Sequence, residues 1–369
     1  MTAFPEVKKK LGFGFMRLPM KKGRIDTEEV NKMVDHFLEQ GFNYFDTARG
    51  YMGGKSEWAI RECLTSRHPR SAYILTDKLS SEFFSKQSDI RPLFEKQLRD
   101  CGVDYFDFYL MHAMDMRIYK KFQDCKAFET AYEFKKEGRI RHFGISFHDQ
   151  AYLLDRILTE HPEVEAVQIQ YNYADYEDPA VEARKCSEVC EKHGKPVLVM
   201  EPVKGGNLVR LPAKADRILR EAGSGSNASY AIRFAATPEH HFMVLSGMSS
   251  MKDMLDNVSY MKNFHPLNEM ETEAIRGVVE VFRSMDFIPC TTCGYCLRSC
   301  PVGLPIPDFF SLLNTQKLFN TWNTGYYYRN MTATVPRASD CIKCGRCEEA
   351  CPQHLKIRKL LKQVAREFE

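Results

Sequence analysis

DTEEVNKMVDHFLEQGFNYFDTA, residues 26–48, holds one complete passage from helix to strand. Asp26 or Thr27 suits a helix N-cap, because a short oxygen-bearing side chain accepts from the free amides of the first turn. The stretch 26–40 is amphipathic, Gly41 provides the stop, and 42–48 (FNYFDTA) reads as β. The same passage recurs on both sides. An opening β-like run lies at 11–18, and others at 72–79, 105–112, 140–147, 165–171, 197–203 and 242–247. Helical stretches at 89–101, 127–137 and 180–193 end at Gly102, Gly138 and Gly194. Several of the β-like runs are apolar almost throughout, as strands buried on both faces are.

Eight strand–helix passages are the sequence form of a (β/α)8 TIM barrel, ahead of the doubly wound sheet as an alternative α/β fold. The expected organisation is a barrel over 1–265, a helical connector over 266–289 and a second domain over 290–369. The composition is ordinary: 44% hydrophobic and 27% charged over 369 residues. That excludes long disorder and collagen-like or mucin-like chains. A net charge of +3 is too mild to indicate nucleic acid or an anionic membrane as partner. No apolar run approaches the roughly 18 residues of a spanning helix. The start, MTAFPEVKKKLGFGFMRL, lacks the apolar centre of a signal peptide, so a reducing cytoplasm is expected.

The cysteines break this ordinary picture. Of 13, eight fall in the last 80 residues. An odd number in a chain of this kind argues against a disulfide framework. Cys290, Cys293, Cys296 and Cys300-Pro301 are followed by Cys341, Cys344, Cys347 and Cys351-Pro352. Both runs have the C-x2-C-x2-C-x3-C-P spacing of bacterial ferredoxins. Three thiolates from one tight loop reach three irons of a [4Fe–4S] cube, and the fourth cysteine leads away to the other cube. Cys290, Cys293, Cys296 and Cys351 are assigned to one cluster, and Cys341, Cys344, Cys347 and Cys300 to the other. Zinc fits this spacing poorly, since its sites use two C-x2-C pairs. A small α+β ferredoxin-like domain with two [4Fe–4S] clusters is therefore expected. The aromatic stretches at 319–322 and 326–328 are read as core filling or as packing against the barrel.

In the barrel, reactive side chains close successive strands. Asp46 ends the second run with Tyr51 just beyond it, Lys78 ends the third and His112 the fourth. In a barrel these ends share the face where chemistry is done. A tyrosine beside an ammonium paired with a carboxylate is expected to have a lowered pKa, suited to general acid–base work. A histidine beside it can orient a carbonyl oxygen.

These residues resemble an aldo-keto reductase. FNYFDTARGYMGGKSE (42–57) is similar to that family's signature, LTDK (75–78) to its lysine strand and YLMH (109–112) to its histidine strand. The resemblance implies hydride transfer between a nicotinamide cofactor, NAD(P)H, and a small carbonyl or alcohol substrate. It implies Tyr51 as proton donor, Lys78 and Asp46 as its tuners and His112 as the substrate-positioning residue. It places Ser146 and Gln168 against the nicotinamide carboxamide, Gly205 in the diphosphate loop (200–208), and Gly247 and Asn257 toward the adenosine. Phe147 stands where the family has asparagine, and Met200 where it often has a ring-stacking tyrosine. Asp253 takes the place of the arginine for a 2′-phosphate, which favours NADH over NADPH.

Nicotinamide moves two electrons at once and each cube moves one. Two further readings follow. In one, the clusters exchange electrons with the barrel site or with a ferredoxin or flavoprotein partner. In the other, the barrel is a binding module, against which the complete set of four residues argues.

Overall fold

A computed structural model describes residues 3–177, 181–283, 287–319, 325, 328, 329, 331, 332 and 335–369. The chain divides into two compact units, Met1–Pro202 with Ala228–Asn268, and Val203–Asn227 with Glu269–Glu369.

The first unit is a closed barrel of eight parallel strands. They are β1 (Leu11–Gly14), β2 (Tyr44–Asp46), β3 (Ile74–Leu79) and β4 (Phe106–Met114), then β5 (Ile140–Phe147), β6 (Ala166–Gln170), β7 (Val197–Met200) and β8 (His241–Ser246). Each pairs with its neighbour in sequence, and β1 with β8 closes the ring. The eight expected runs are these eight strands. The first run stops at Gly14, because the chain turns away at Phe15-Met16. The fourth runs on to Met114.

Helix Thr27–Glu39 starts on Asp26, whose carboxylate accepts from the Glu29 amide. Gly41, Gly102, Gly138 and Gly194 all stop helices with positive φ, between 63° and 81°. Phe4 closes the strands' N-terminal end, packing its ring against Phe108 at 4.9 Å and Phe242 at 4.7 Å. That end is filled with apolar side chains. Polar side chains collect at the opposite end.

In the second unit, helices Ala213–Ala222 and Glu269–Arg283 meet at Gly277, where a Cβ would lie 3.4 Å from Ile218 Cγ2. After it come helices Tyr295–Ser299, Ile306–Phe319, Arg346–Glu349 and Ile357–Phe368. The last buries Ile357, Leu361 and Val364 along one stripe and turns its basic residues outward. With Leu304, Ile306, Phe309, Phe310 and Leu313 they make a core in which Cys296, Cys347 and Cys351 are also buried. Among the described residues of 290–369 helices are the only regular elements, so the β part of the expected α+β fold has no counterpart among them. Tyr328, from the aromatic stretch, is buried between Phe309 and Phe368. Residues 320–322, 326 and 327 of those stretches lie outside the described residues. No helix among the described residues is long and apolar enough to cross a membrane.

Candidate active site and cysteine cavities

Four of the predicted residues meet at the C-terminal end of the barrel. Lys78, at the end of β3, has no solvent exposure. Its Nζ donates to both carboxylate oxygens of Asp46 at 2.7 Å and to the Thr47 carbonyl at 2.9 Å. All three ammonium protons are thereby used. The same Nζ lies 5.0 Å from the centre of the Tyr51 ring. Tyr51 sits in a tight turn whose next three residues, Met52, Gly53 and Gly54, all have positive φ. Its ring meets the His112 ring edge-on, centre to centre 5.7 Å.

His112 is aimed by two features. Between Met111 and Met114 the β4–β5 register slips by one residue, and Ala113 takes φ 56°. His112 Nδ1 and Ser80 Oγ are hydrogen-bonded at 2.6 Å, which fixes the orientation of the ring. Behind the site, Gln97 Nε2 donates to the Lys78 carbonyl and to Glu57, and Tyr109 donates to Gln97 Oε1. Ser80 and Gln97 carry no sequence signal of their own, because a polar residue after a strand or inside a helix is commonplace.

The electrostatics correct one expectation. The Tyr51 pKa is raised well above its usual value, not lowered. Burial does most of this and the Asp46 carboxylate adds to it, against the pull of the Arg17 guanidinium. The Lys78 charge that was expected to act on the phenol is already neutralised by Asp46. Burial pushes the Asp46 carboxyl upward too, with Lys78 pulling it back. A phenol of this kind holds its proton until an acceptor arrives.

Ser146 and Gln168 are partners in register on β5 and β6. Both are buried, yet Ser146 Oγ and Gln168 Oε1 have no hydrogen-bond partner among the described residues. A buried polar atom left unpaired costs about 1–3 kcal/mol, so the pair is poised for a ligand's polar group. A carboxamide, with one acceptor and one N–H2 donor, fits it. Gly247 lies against Arg17, a Cβ there falling 3.6 Å from Arg17 Cβ. Asn257 is buried, its amide donating to Ser246 Oγ at 2.7 Å and its oxygen accepting from Tyr260 at 2.6 Å. Gly205, in the second unit, has φ 64° and lies against Thr291.

The cysteines fall into two sets. Cys290, Cys293, Cys296 and Cys351 line one small pocket, with Phe310, Leu355 and Ile357. Cys300, Cys341, Cys344 and Cys347 line another, with Arg358 and Leu361. Ile306 lines both. The two loops share a backbone trace, with Thr292 and Gly294 in one and Lys343 and Gly345 in the other at positive φ. The glycine after each second cysteine was a readable signal for this shared turn. Burial, then the neighbouring Cys293, Cys290 and Cys351, push the Cys296 thiol upward. Four such thiols around an open space suit a cationic inorganic core that takes four thiolates.

The family model described as "Aldo/keto reductase family" matches residues 10–280. The chain belongs to the aldo/keto reductase family. A second model, "4Fe-4S dicluster domain", matches residues 289–356, so this aldo/keto reductase carries an iron–sulfur domain at its C-terminal end. The chain is similar to 4-dihydromethyl-trisporate dehydrogenase of Mucor mucedo, at 37% identity over 94 residues, 24% of this chain and 28% of that protein. It is also similar to norsolorinic acid reductase B of Dothistroma septosporum, at 34% over 67 residues, 18% of this chain and 17% of that one. These matches span less than a third of either relative. Among solved structures, an aldo-keto reductase from Bacillus halodurans in its holo form superposes with TM-score 0.60 at 26% identity, covering 73% of this chain and 92% of that one. A Klebsiella pneumoniae aldo-keto reductase in complex with NADPH has TM-score 0.59 at 18% identity, covering 74% and 95%, a likeness of fold.

Proposed function

We propose that this aldo/keto reductase transfers a hydride between NADH and a small carbonyl or alcohol substrate, with Tyr51 as the proton donor. The observation that carries the reading is the Lys78 ammonium, bonded to both Asp46 oxygens and set against the Tyr51 ring, with His112 on the ring's edge. Bound nicotinamide supplies the hydride. The chain's residues do the rest. Tyr51 keeps its proton at neutral pH and gives it to the oxygen of the reduced carbonyl. His112, its ring held by Ser80, positions that oxygen. Asp46 and Thr47 hold the Lys78 ammonium against the Tyr51 ring, which fixes where the phenol stands. Ser146 and Gln168 hold the carboxamide, and the Gly205 loop, Gly247 and Asn257 hold the rest of the dinucleotide.

Two carboxylates support NADH over NADPH. At the start of helix Met251–Met261, Asp253 accepts from the Ser249 amide at 3.1 Å and Glu29 from the Met251 amide at 2.9 Å. The amides that would welcome a 2′-phosphate are already bonded to negative groups.

In this reading the barrel spans 1–265, the connector 266–289 and the cluster domain 290–369. The two pockets take one [4Fe–4S] cluster each. A second reading, electron exchange with a ferredoxin or flavoprotein, is favoured by the exposure of Cys344 and of Ile342, 63% exposed, at one pocket's edge. Tyr51→Phe tests the main reading. Reduction of a small aldehyde should fall by about 10²–10⁴-fold while NADH still binds. Unchanged turnover would sink it.

A further inference from the structure

The loop after β7 is built from three consecutive left-handed residues, Lys204 (φ 49°), Gly205 (φ 64°) and Gly206 (φ 96°). Gly206 and Leu208 both donate their amides to the Val203 carbonyl, and Asn207 donates its own to Lys204. What this compact loop rests on is unexpected. A Cβ at Gly205 would lie 2.3 Å from the Thr291 carbonyl oxygen, 2.7 Å from its carbon and 3.0 Å from Thr291 Cα. Backbone is pressed on backbone, with no flexible side chain to yield. Asn207 Nδ2 donates to the Cys290 carbonyl at 2.7 Å. Thr291, almost wholly buried, lies between Cys290 and Cys293, which line the first cysteine pocket. The loop has no other glycine contact so close.

We infer that occupancy of the first cysteine pocket and binding of the nucleotide are thermodynamically linked, with Gly205 and Asn207 as the positioning residues that join them. The inference rests on the reading that the 203–208 loop holds the dinucleotide's diphosphate. A cluster bound by Cys290, Cys293, Cys296 and Cys351 fixes the backbone of 290–293. That backbone is the backstop of Gly205 and the acceptor of Asn207. Without a cluster the four cysteines are no longer tied together, and the backbone of 290–293 is held less firmly. The loop's left-handed conformations then lose part of their support. By reciprocity the nucleotide favours the filled pocket by the same factor that the filled pocket favours the nucleotide.

The test uses the full chain, purified anaerobically. NADH affinity is measured by fluorescence on cluster-loaded protein and on protein stripped with chelator and oxidant. The loaded form should bind NADH about tenfold more tightly, within the usual range of such couplings. Saturating NADH should slow the bleaching of cluster absorbance by chelator. Asn207→Ala, at an exposed position, should keep full cluster absorbance yet weaken NADH, and should shrink the loaded-to-stripped ratio. Equal NADH affinity in the loaded and stripped forms overturns the linkage alone. Absence of NADH binding in both forms overturns the cofactor reading and the linkage with it.

Discussion

Asp46→Asn removes the one anion bonded to a fully buried ammonium. In the variant, Lys78 retains the Thr47 carbonyl at 2.9 Å and at best an amide oxygen. Breaking one partner of a buried pair costs about 3–5 kcal/mol. An independent limit comes from Lys78 itself, which can escape the penalty by giving up its proton. From an unfolded pKa of about 10.4, that costs about 1.36 kcal/mol for each pH unit, or about 4.6 kcal/mol at pH 7. At pH 9 the same escape costs only about 1.9 kcal/mol. The folded variant then binds fewer protons than its unfolded chain, so its stability rises with pH relative to the wild type. The deficit of Asp46→Asn should therefore be about 3–4.6 kcal/mol at pH 7 and no more than about 2 at pH 9. Anaerobic urea titrations at both pH values, followed by barrel fluorescence, read it as the shift in midpoint multiplied by the slope. The double variant Asp46→Asn with Lys78→Met removes both charges. It should be less destabilised than Asp46→Asn at pH 7, and its deficit should not change with pH. A single-variant deficit that is equal at pH 7 and 9 would refute the picture of a charged, desolvated lysine held by Asp46.

Two further outcomes are expected. His142 bonds Glu6 at 2.6 Å and Glu165 at 3.2 Å; burial opposes its charge, but these two carboxylates raise its pKa above the usual value. Burial also opposes the Glu165 charge, yet His142 and Lys135 hold its pKa down to about 2. The histidine's contribution is complete below its unfolded pKa of about 6.5 and fades as pH rises through the higher folded value, while that of Glu165 is complete above about 4.3 and fades in acid. His142→Gln should therefore lower thermal stability most near pH 5.5 and least near pH 8.5; an equal loss at both would show that the histidine is not charged. Glu29→Gln with Asp253→Asn should improve NADPH binding relative to NADH by about tenfold for each carboxylate removed, about 1.4 kcal/mol apiece. Competition titrations that show no change in the ratio would remove these residues from cofactor choice.

The barrel was legible because its strands are apolar runs ended by a polar or turn residue, and four of its helices stop at a glycine that tolerates positive φ. Asp46, Lys78 and His112 were legible for the same reason, since closing a strand in a barrel assigns a residue to one end. The direction of the Tyr51 pKa was not. It depends on where the Lys78 charge is spent, and only the three bonds to Asp46 and Thr47 show that. Ser80 and Gln97 were invisible because their roles come from partners 32 and 19 residues away. The bond from Asn207 to Cys290 spans 83 residues and has no local signature at all. Spacing alone gave the sorting of cysteines into two sets that the pockets show, because a cysteine followed by proline must leave its own loop.

That sorting bears on how the protein is made. Cys351 completes the pocket lined by the first loop, and Cys300 stands in the pocket lined by the second. A nascent chain that has emerged as far as residue 340 has three walls of one vessel and one wall of the other. Neither can be filled from its own motif. If iron and sulfide enter as proposed, loading waits for translation to pass the second motif, and then both vessels become fillable together. Metal delivery would then meet a chain whose barrel strands are already synthesised.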